Sequence, residues 1–144
     1  MKNNQKGITL VALVITIIVL LILAAVTIMA LSGDNGILTR AKQSKVNTNV
    51  ANAKDVFNTV AQEAITEYYN KKYVTSGSTE ASVGAQIAAA IRKNSMTTPY
   101  LAEGESSKTD LTIQTNVKDS TGATLTCTIT ADGAISWTGD LLEK

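Results

Sequence analysis

An uninterrupted apolar segment at residues 8–31 constrains this chain of 144 residues more than any other feature. Its sequence, ITLVALVITIIVLLILAAVTIMAL, contains no charged residue, no proline and no glycine. A helix of this length would be about 36 Å long, enough to cross the roughly 30 Å hydrocarbon core of a bilayer with some tilt. A cleavable secretory signal has a shorter apolar region, of about 7–15 residues. We therefore expect a segment that stays with the protein and can span a membrane.

The charges on either side of this segment bear on its orientation. Lys2, Lys6 and the amino terminus precede it, and Arg40, Lys42 and Lys45 follow it, so the positive-inside count is nearly equal on the two sides. We favour an N-terminus in the cytoplasm, because its charges lie closest to the segment and the large polar part of the chain comes after it.

The composition excludes several classes of chemistry. The chain has no histidine and one cysteine, Cys127, which excludes zinc sites built from Cys and His, a triad that needs an imidazole, and an intramolecular disulfide. Cys127 shares one face of a predicted strand with Leu125 and Ile129, so we expect a buried thiol. The formal net charge is +1, which does not indicate a nucleic-acid partner. We expect no enzymatic activity, no metal site and no cofactor.

Two groups of charged residues were candidates for ligand binding. Glu103, Glu105 and Asp110 carry the oxygen ligands that Ca²⁺ prefers. Their irregular spacing favours a solvated loop instead. The second group consists of two basic pairs, Lys71-Lys72 and Arg92-Lys93. Such pairs are ordinary at the C-terminal ends of helices, so we favour that explanation over contacts with DNA phosphates.

The helical pattern breaks just after the apolar segment. The break consists of Gly33, Asp34, Asn35 and Gly36. Glycine at either end with Asp or Asn between is typical of a helix that stops and restarts. Two interpretations stay open: a hinge that lets the following domain reorient, or an ordinary pair of helix caps.

A long helix is predicted from residue 37 to about residue 73, because apolar residues recur there at alternating spacings of four and three. This narrow stripe is Val46, Val50, Ala53, Phe57, Val60, Ala64 and Tyr68. It needs a partner surface. We expect its second half to pack on a sheet, and its first half, around residues 45–53, to face neighbours or solvent. A second, short helix is predicted at residues 80–94.

Three strands are predicted in the last third of the chain. Apolar and polar residues alternate at residues 111–117, 123–131 and 135–137. Asp132-Gly133 is a strong signal for a two-residue hairpin. The predicted fold class is therefore α+β: a long N-terminal helix, apolar in its first half and broken near residues 33–36, packs by its C-terminal half on a small three-stranded antiparallel sheet.

The junction that opens the apolar segment reads KGITL, a short basic leader ending in glycine and then an abrupt apolar helix. With the GDNGILTRAK that follows the segment, it resembles the class III signal of type IV pilins and is most similar to the pilin-like proteins of Gram-positive anaerobes. The resemblance covers roughly residues 1–45. It implies that a prepilin peptidase cuts between Gly7 and Ile8 and methylates the new amino terminus at Ile8.

One position departs from the family pattern. The family usually has a glutamate at the fifth residue after the cut, and here that residue is Ala12. Burying an unpaired carboxylate is costly, so alanine suits a plain anchor. Its presence weakens the argument for ordered filament packing, and it leaves open a minor subunit or a protein that does not polymerise.

The resemblance implies a structural subunit of a type IV pilus-like surface filament. Residues 1–7 would be the leader, 8–32 the transmembrane and filament-core helix, and 33–144 an extracellular α+β domain. Neighbouring helices would approach closely at the small residues Ala24, Ala25 and Ala30.

The implied partners are further copies of the chain, the prepilin peptidase, the assembly machinery and, before assembly, membrane lipid. The precursor would lie in the cell membrane and the assembled filament at the cell surface. Two alternatives stay open. One is a minor pilin or a pseudopilin of a type II secretion or DNA-uptake machine, and the other is a single-pass membrane-anchored binding domain that does not polymerise.

Overall fold

The computed structural model describes residues 5–33, 36–74 and 81–139. The chain divides into two compact units, Met1–Ser44 and Lys45–Lys144. In chain order the helices and strands are α1 (Gln5–Ser32), α2 (Ile37–Tyr73), α3 (Val83–Lys93), β1 (Thr112–Lys118), β2 (Thr124–Ile129) and β3 (Ile135–Thr138). The predicted α+β fold with a three-stranded antiparallel sheet is confirmed.

One face of α2 is buried, at the predicted helical spacing. The buried residues are Val50, Ala53, Phe57, Val60, Ala61, Ala64 and Tyr68. Val50 and Ala53 form a small cluster with Val117 of β1 and Leu125 of β2. The expectation that residues 45–53 face neighbours or solvent is therefore wrong from Val50 onward, because the two strands supply apolar partners for this part of the helix.

A larger apolar cluster joins α2, α3 and the sheet. Phe57 of α2, Ile87 and Ile91 of α3, and Cys127 of β2 are all fully buried within it. Burial raises the pKa of the Cys127 thiol to about 12, so this side chain is a protonated, inert member of the core, as predicted.

The strands follow the order β1-β2-β3, and each of the two turns is closed by hydrogen bonds. In the β1–β2 turn, the Asp119 carboxylate accepts hydrogen bonds from the Thr121 amide at 2.8 Å and the Ala123 amide at 3.0 Å. In the β2–β3 turn, the Thr130 amide donates to the Ala134 carbonyl at 2.9 Å, and Gly133 has a φ of 94°. The predicted hairpin is confirmed, but its loop has three residues rather than two, the third being the left-handed glycine.

Helix α3 begins at Val83, with Ser82 as its N-cap. The Ser82 hydroxyl accepts a hydrogen bond from the Ala85 amide at 3.2 Å, which satisfies one of the first free amides of the helix. The predicted start at Glu80 lies outside the described residues. The basic pair predicted at the end of this helix lies in its last turn, and Arg92 is buried there, with 3% of its surface exposed.

Gly84 brings the first turn of α3 against the β2–β3 turn. Its amide donates to the Ala131 carbonyl at 3.1 Å, and a Cβ at this position would lie 2.0 Å from the Thr130 carbonyl oxygen. Gly84→Ala is expected to lower the free energy of unfolding by about 1–3 kcal/mol through this overlap, although alanine is the better helix former. Urea denaturation measures the change, with exposed Ala89→Ser as the matched control. Equal stability of Gly84→Ala and the parent chain would contradict the close contact.

Candidate functional site

Helix α1 is the candidate functional site, because it contains the predicted cleavage junction and the apolar segment. The helix begins at Gln5, so Gly7 and Ile8 both lie within its first turns. A Cβ added at Gly7 would meet no atom within 4 Å, and Ile8 is 69% exposed. Both residues of the predicted cleavage junction are therefore exposed.

The apolar side chains of α1 are exposed along its whole length. The least exposed large one, Val14, is 46% exposed, and the most exposed, Met29, is 80% exposed. Among the described residues, one helix passes the length and composition test for a membrane span; its best window has a mean hydropathy of 3.2 and none of it is buried. Soluble domains rarely expose an apolar surface of this extent, so α1 requires lipid or other protein around it.

The polar groups of α1 are compatible with such surroundings. The Thr16 hydroxyl donates to the Leu13 carbonyl at 2.7 Å, and the Thr27 hydroxyl donates to the Leu23 carbonyl. Because both hydroxyls find acceptors on their own helix, neither is left unsatisfied when water is absent.

The small residues of α1 do not form a single stripe. With about 100° of rotation per residue, Ala24, Ala25 and Ala30 lie at roughly 0°, 100° and 240° around the helix axis. All three are exposed, as is Ala12 near the start of the helix. Close approach is thus possible on several sides of α1, which suits a helix with several neighbours better than one with a single partner.

The predicted helix break is located between Ser32 and Ile37. The Gly33 amide still donates to the Met29 carbonyl at 3.2 Å, as in an α-helix, and the Gly36 amide donates to the Gly33 carbonyl at 2.7 Å. A Cβ on Gly36 would lie 2.5 Å from the Leu31 carbonyl oxygen, so the chain passes too close for any other residue without a shift. Asp34 and Asn35 lie outside the described residues, and the hinge stays a prediction.

The loop between α3 and β1 contains a buried ion cluster that the sequence did not predict. Glu105 is fully buried, and its Oε1 lies 3.0 Å from Nη2 of Arg92 while its Oε2 lies 2.9 Å from Nζ of Lys108. Arg92 also donates to the Asp110 carboxylate at 2.6 Å and to the Thr112 carbonyl at 3.1 Å. The solvated loop expected at these acidic residues is therefore wrong for Glu105.

Electrostatics keep this carboxylate ionised. Burial by itself raises the pKa of Glu105, but the hydrogen bonds and charges of Lys108 and Arg92 outweigh burial and hold the pKa below its ordinary value. The oxygens of Glu105 are occupied by cationic side chains, so they are not available as ligands for Ca²⁺. The nearest signal in the sequence was the arginine in the last turn of an amphipathic helix, thirteen residues before Glu105.

Comparison with known proteins gives one match. A family model for the prokaryotic N-terminal methylation motif matches residues 2–28. A comparison with curated proteins and with solved structures found no significant match. The motif indicates a structural protein rather than an enzyme. It implies processing by a prepilin peptidase. Together with the apolar helix, it supports a precursor that is anchored in the membrane and later exposed at the surface. Residues 2–28 thus contain the prokaryotic N-terminal methylation motif, a class III signal, which supports a type IV pilin-like prepilin.

Proposed function

We propose that the chain is a structural subunit of a type IV pilus-like surface filament. The observation that carries this proposal is an N-terminal methylation motif on a helix whose apolar surface is entirely exposed. Such a helix is stable in lipid, and it is equally stable in a bundle of identical helices, since lipid tails and apolar side chains are alike in polarity. One segment can therefore anchor the precursor and later form the filament core.

The proposed sequence of events uses the residues of α1 in order. The apolar segment at residues 8–31 first holds the precursor in the membrane, with the leader in the cytoplasm. The prepilin peptidase removes residues 1–7 by cutting after Gly7 and methylates Ile8. The assembly machinery then extracts the subunit into a helical homopolymer, in which exposed alanines on several sides of α1 allow more than one neighbour to approach.

Ala12 favours a second candidate from the same superfamily. A glutamate at this position would meet the amino terminus of a neighbouring subunit in the usual family arrangement, and alanine cannot. A minor pilin or a pseudopilin, present in few copies beside a partner pilin, would tolerate this absence. The number of copies per filament, measured by quantitative mass spectrometry of purified filaments, discriminates the two candidates.

The mass of the N-terminal peptide tests the proposed function directly. Material sheared from the cell surface is expected to begin with N-methylated Ile8, and a Gly7→Leu variant is expected to accumulate as a full-length precursor that is absent from the sheared material. A surface peptide that begins at Met1 would instead favour a membrane-anchored binding domain. A peptide that begins at Gly33 would show a secreted protein and overturn the filament.

A further inference from the structure

The sheet has two edges, and only one of them is covered by described residues. Along β1, the Ala102 amide donates to the Gln114 carbonyl at 3.0 Å and Leu101 forms a bridge with Thr115. The Asn116 side chain also donates to the Pro99 carbonyl at 2.9 Å. Along β3, no backbone group in the described ranges pairs with the outer edge.

The register decides which groups of β3 point outward. Hydrogen-bonded residues alternate along each strand of an antiparallel pair. The Thr130 amide donates to the Ala134 carbonyl, which places Ser136, two residues further along, among the residues bonded to β2. The N–H and C=O groups of Ile135 and Trp137 consequently point away from β2, toward the free edge.

The free edge has one of the features that usually prevent strand pairing and lacks the others. Proteins protect edges by keeping the strand very short or with charged side chains, proline or bulges; β3 is short, with four residues, but its sequence ISWT is neutral and has no bulge against β2. The Trp137 side chain is half-buried: the centroid of its ring lies 5.3 Å from that of Phe57 and 5.9 Å from Nζ of Lys54. A further strand beside β3 would satisfy four backbone groups and cover more of this ring.

We propose that the β3 edge binds the β3 edge of a second copy of this chain, in antiparallel orientation about a two-fold axis at Ser136. This register pairs Ile135 of each copy with Trp137 of the other, so that each pair exchanges two backbone hydrogen bonds. Ile135 with Trp137 is an aromatic and β-branched pair, which stabilises antiparallel strands. The facing Ser136 side chains carry no charge, and the cation nearby is Lys54 of α2, whose Nζ lies 5.9 Å from the centroid of the Trp137 ring.

The paired copies form one six-stranded sheet, with the helices on one face and the threonine-rich residues on the other. This contact is isologous and closes on itself, so it cannot propagate a filament. It therefore differs from the helix bundle of the proposed function and does not depend on leader cleavage. The register favours a second copy as the partner, because β3 against β3 pairs Ile135 with Trp137 on both sides of the axis.

Disulfide trapping of the full-length chain in detergent micelles tests the pairing and its register. In the proposed register Ser136 faces its own copy as a non-hydrogen-bonded pair, with Cα atoms about 4.5 Å apart, a distance that a disulfide accepts. Thr138 is the matched control. In this register it lies opposite residue 134 of the other copy, four residues from the other Thr138, so the two Thr138 Cα atoms are about 14 Å apart. Cys127 is buried and does not interfere. Mild oxidation is expected to shift Ser136→Cys to the dimer mass and to leave Thr138→Cys a monomer.

Two other outcomes would overturn the proposal. Equal cross-linking of both variants would show encounters in the micelle without a register. Monomers for both would show an edge that is covered by other means, either by the chain itself or by a different protein. Circular dichroism of both variants checks the fold, and since neither readout requires processing at Gly7, the pairing and the filament can fail independently.

Discussion

Arg92→Ala is expected to lower the free energy of unfolding of the unit Lys45–Lys144 by about 3–5 kcal/mol, the range for removing one partner of a buried ion pair. Glu105 is fully buried and would lose its buried partner Arg92, keeping only Lys108, whose side chain is half-exposed. The guanidinium also joins α3 to the Asp110 carbonyl and carboxylate and to β1 at the Thr112 carbonyl. Its removal therefore releases the loop that covers the β1 edge.

Urea denaturation followed by the fluorescence of Trp137 measures this loss, since the chain has one tryptophan and its ring contacts the core residue Phe57. Lys93→Ala is the matched control, an exposed cation next in the chain that should change stability little. Arg92→Met combined with Glu105→Leu should recover much of the loss, because no charge is then buried alone. A loss in Arg92→Ala no larger than in Lys93→Ala would contradict the buried pair.

The pH dependence of the free energy of unfolding provides an independent test of the same cluster. The pKa of Glu105 is lower in the folded chain than its ordinary value of 4.5. The unfolded chain therefore takes up this proton first as the pH falls, so the stabilisation is complete above about pH 4.5 and declines below it. The parent chain should lose this contribution on acidification, and a Glu105→Gln variant should show a smaller acid-dependent decrease.

Periodicity in the sequence predicted most of the fold. The stripe from Val50 to Tyr68 and the alternation in β1 and β2 each follow the repeat of one element, so neighbouring residues are enough to reveal them. The cluster at Arg92 has no such repeat, because its partners lie on a loop and a strand that only the tertiary fold brings to α3. An arginine in the last turn of a helix has an ordinary explanation in the helix dipole, and the sequence offers nothing that overrides it.

The candidate site was predictable for a different reason. A bilayer-length apolar helix and a glycine-terminated basic leader are local features, and the methylation motif matches the same residues. The surroundings of α1 are not local: the chain on its own leaves every apolar side chain of this helix exposed. Lipid and a bundle of identical helices both satisfy that surface, so hydropathy alone cannot separate an anchor from a filament core, and packing geometry must do so.

The double variant Ala24→Leu with Ala25→Leu separates them, because it changes packing while preserving the apolar character. Leucine inserts into a membrane at least as readily as alanine, so we expect anchoring and cleavage after Gly7 to be unchanged. In a filament core the larger side chains hold neighbouring helices apart, at a cost on the order of 1–3 kcal/mol for each overpacked contact. Every subunit repeats these contacts, so the expected result is a nearly complete loss of sheared surface filaments.

Immunoblots of membranes and of sheared material measure the two expectations separately. Leu20→Ile and Leu21→Ile together are the matched control, since they alter the same helix without adding volume at a small residue, and filaments should persist. Normal filament yield from the alanine double variant would mean that α1 has no close neighbours, as in a single-pass anchor. Loss of the protein from the membrane fraction would mean that the substitutions act on insertion. Retention in the membrane, normal processing and absent filaments would place these alanines in contacts between subunits.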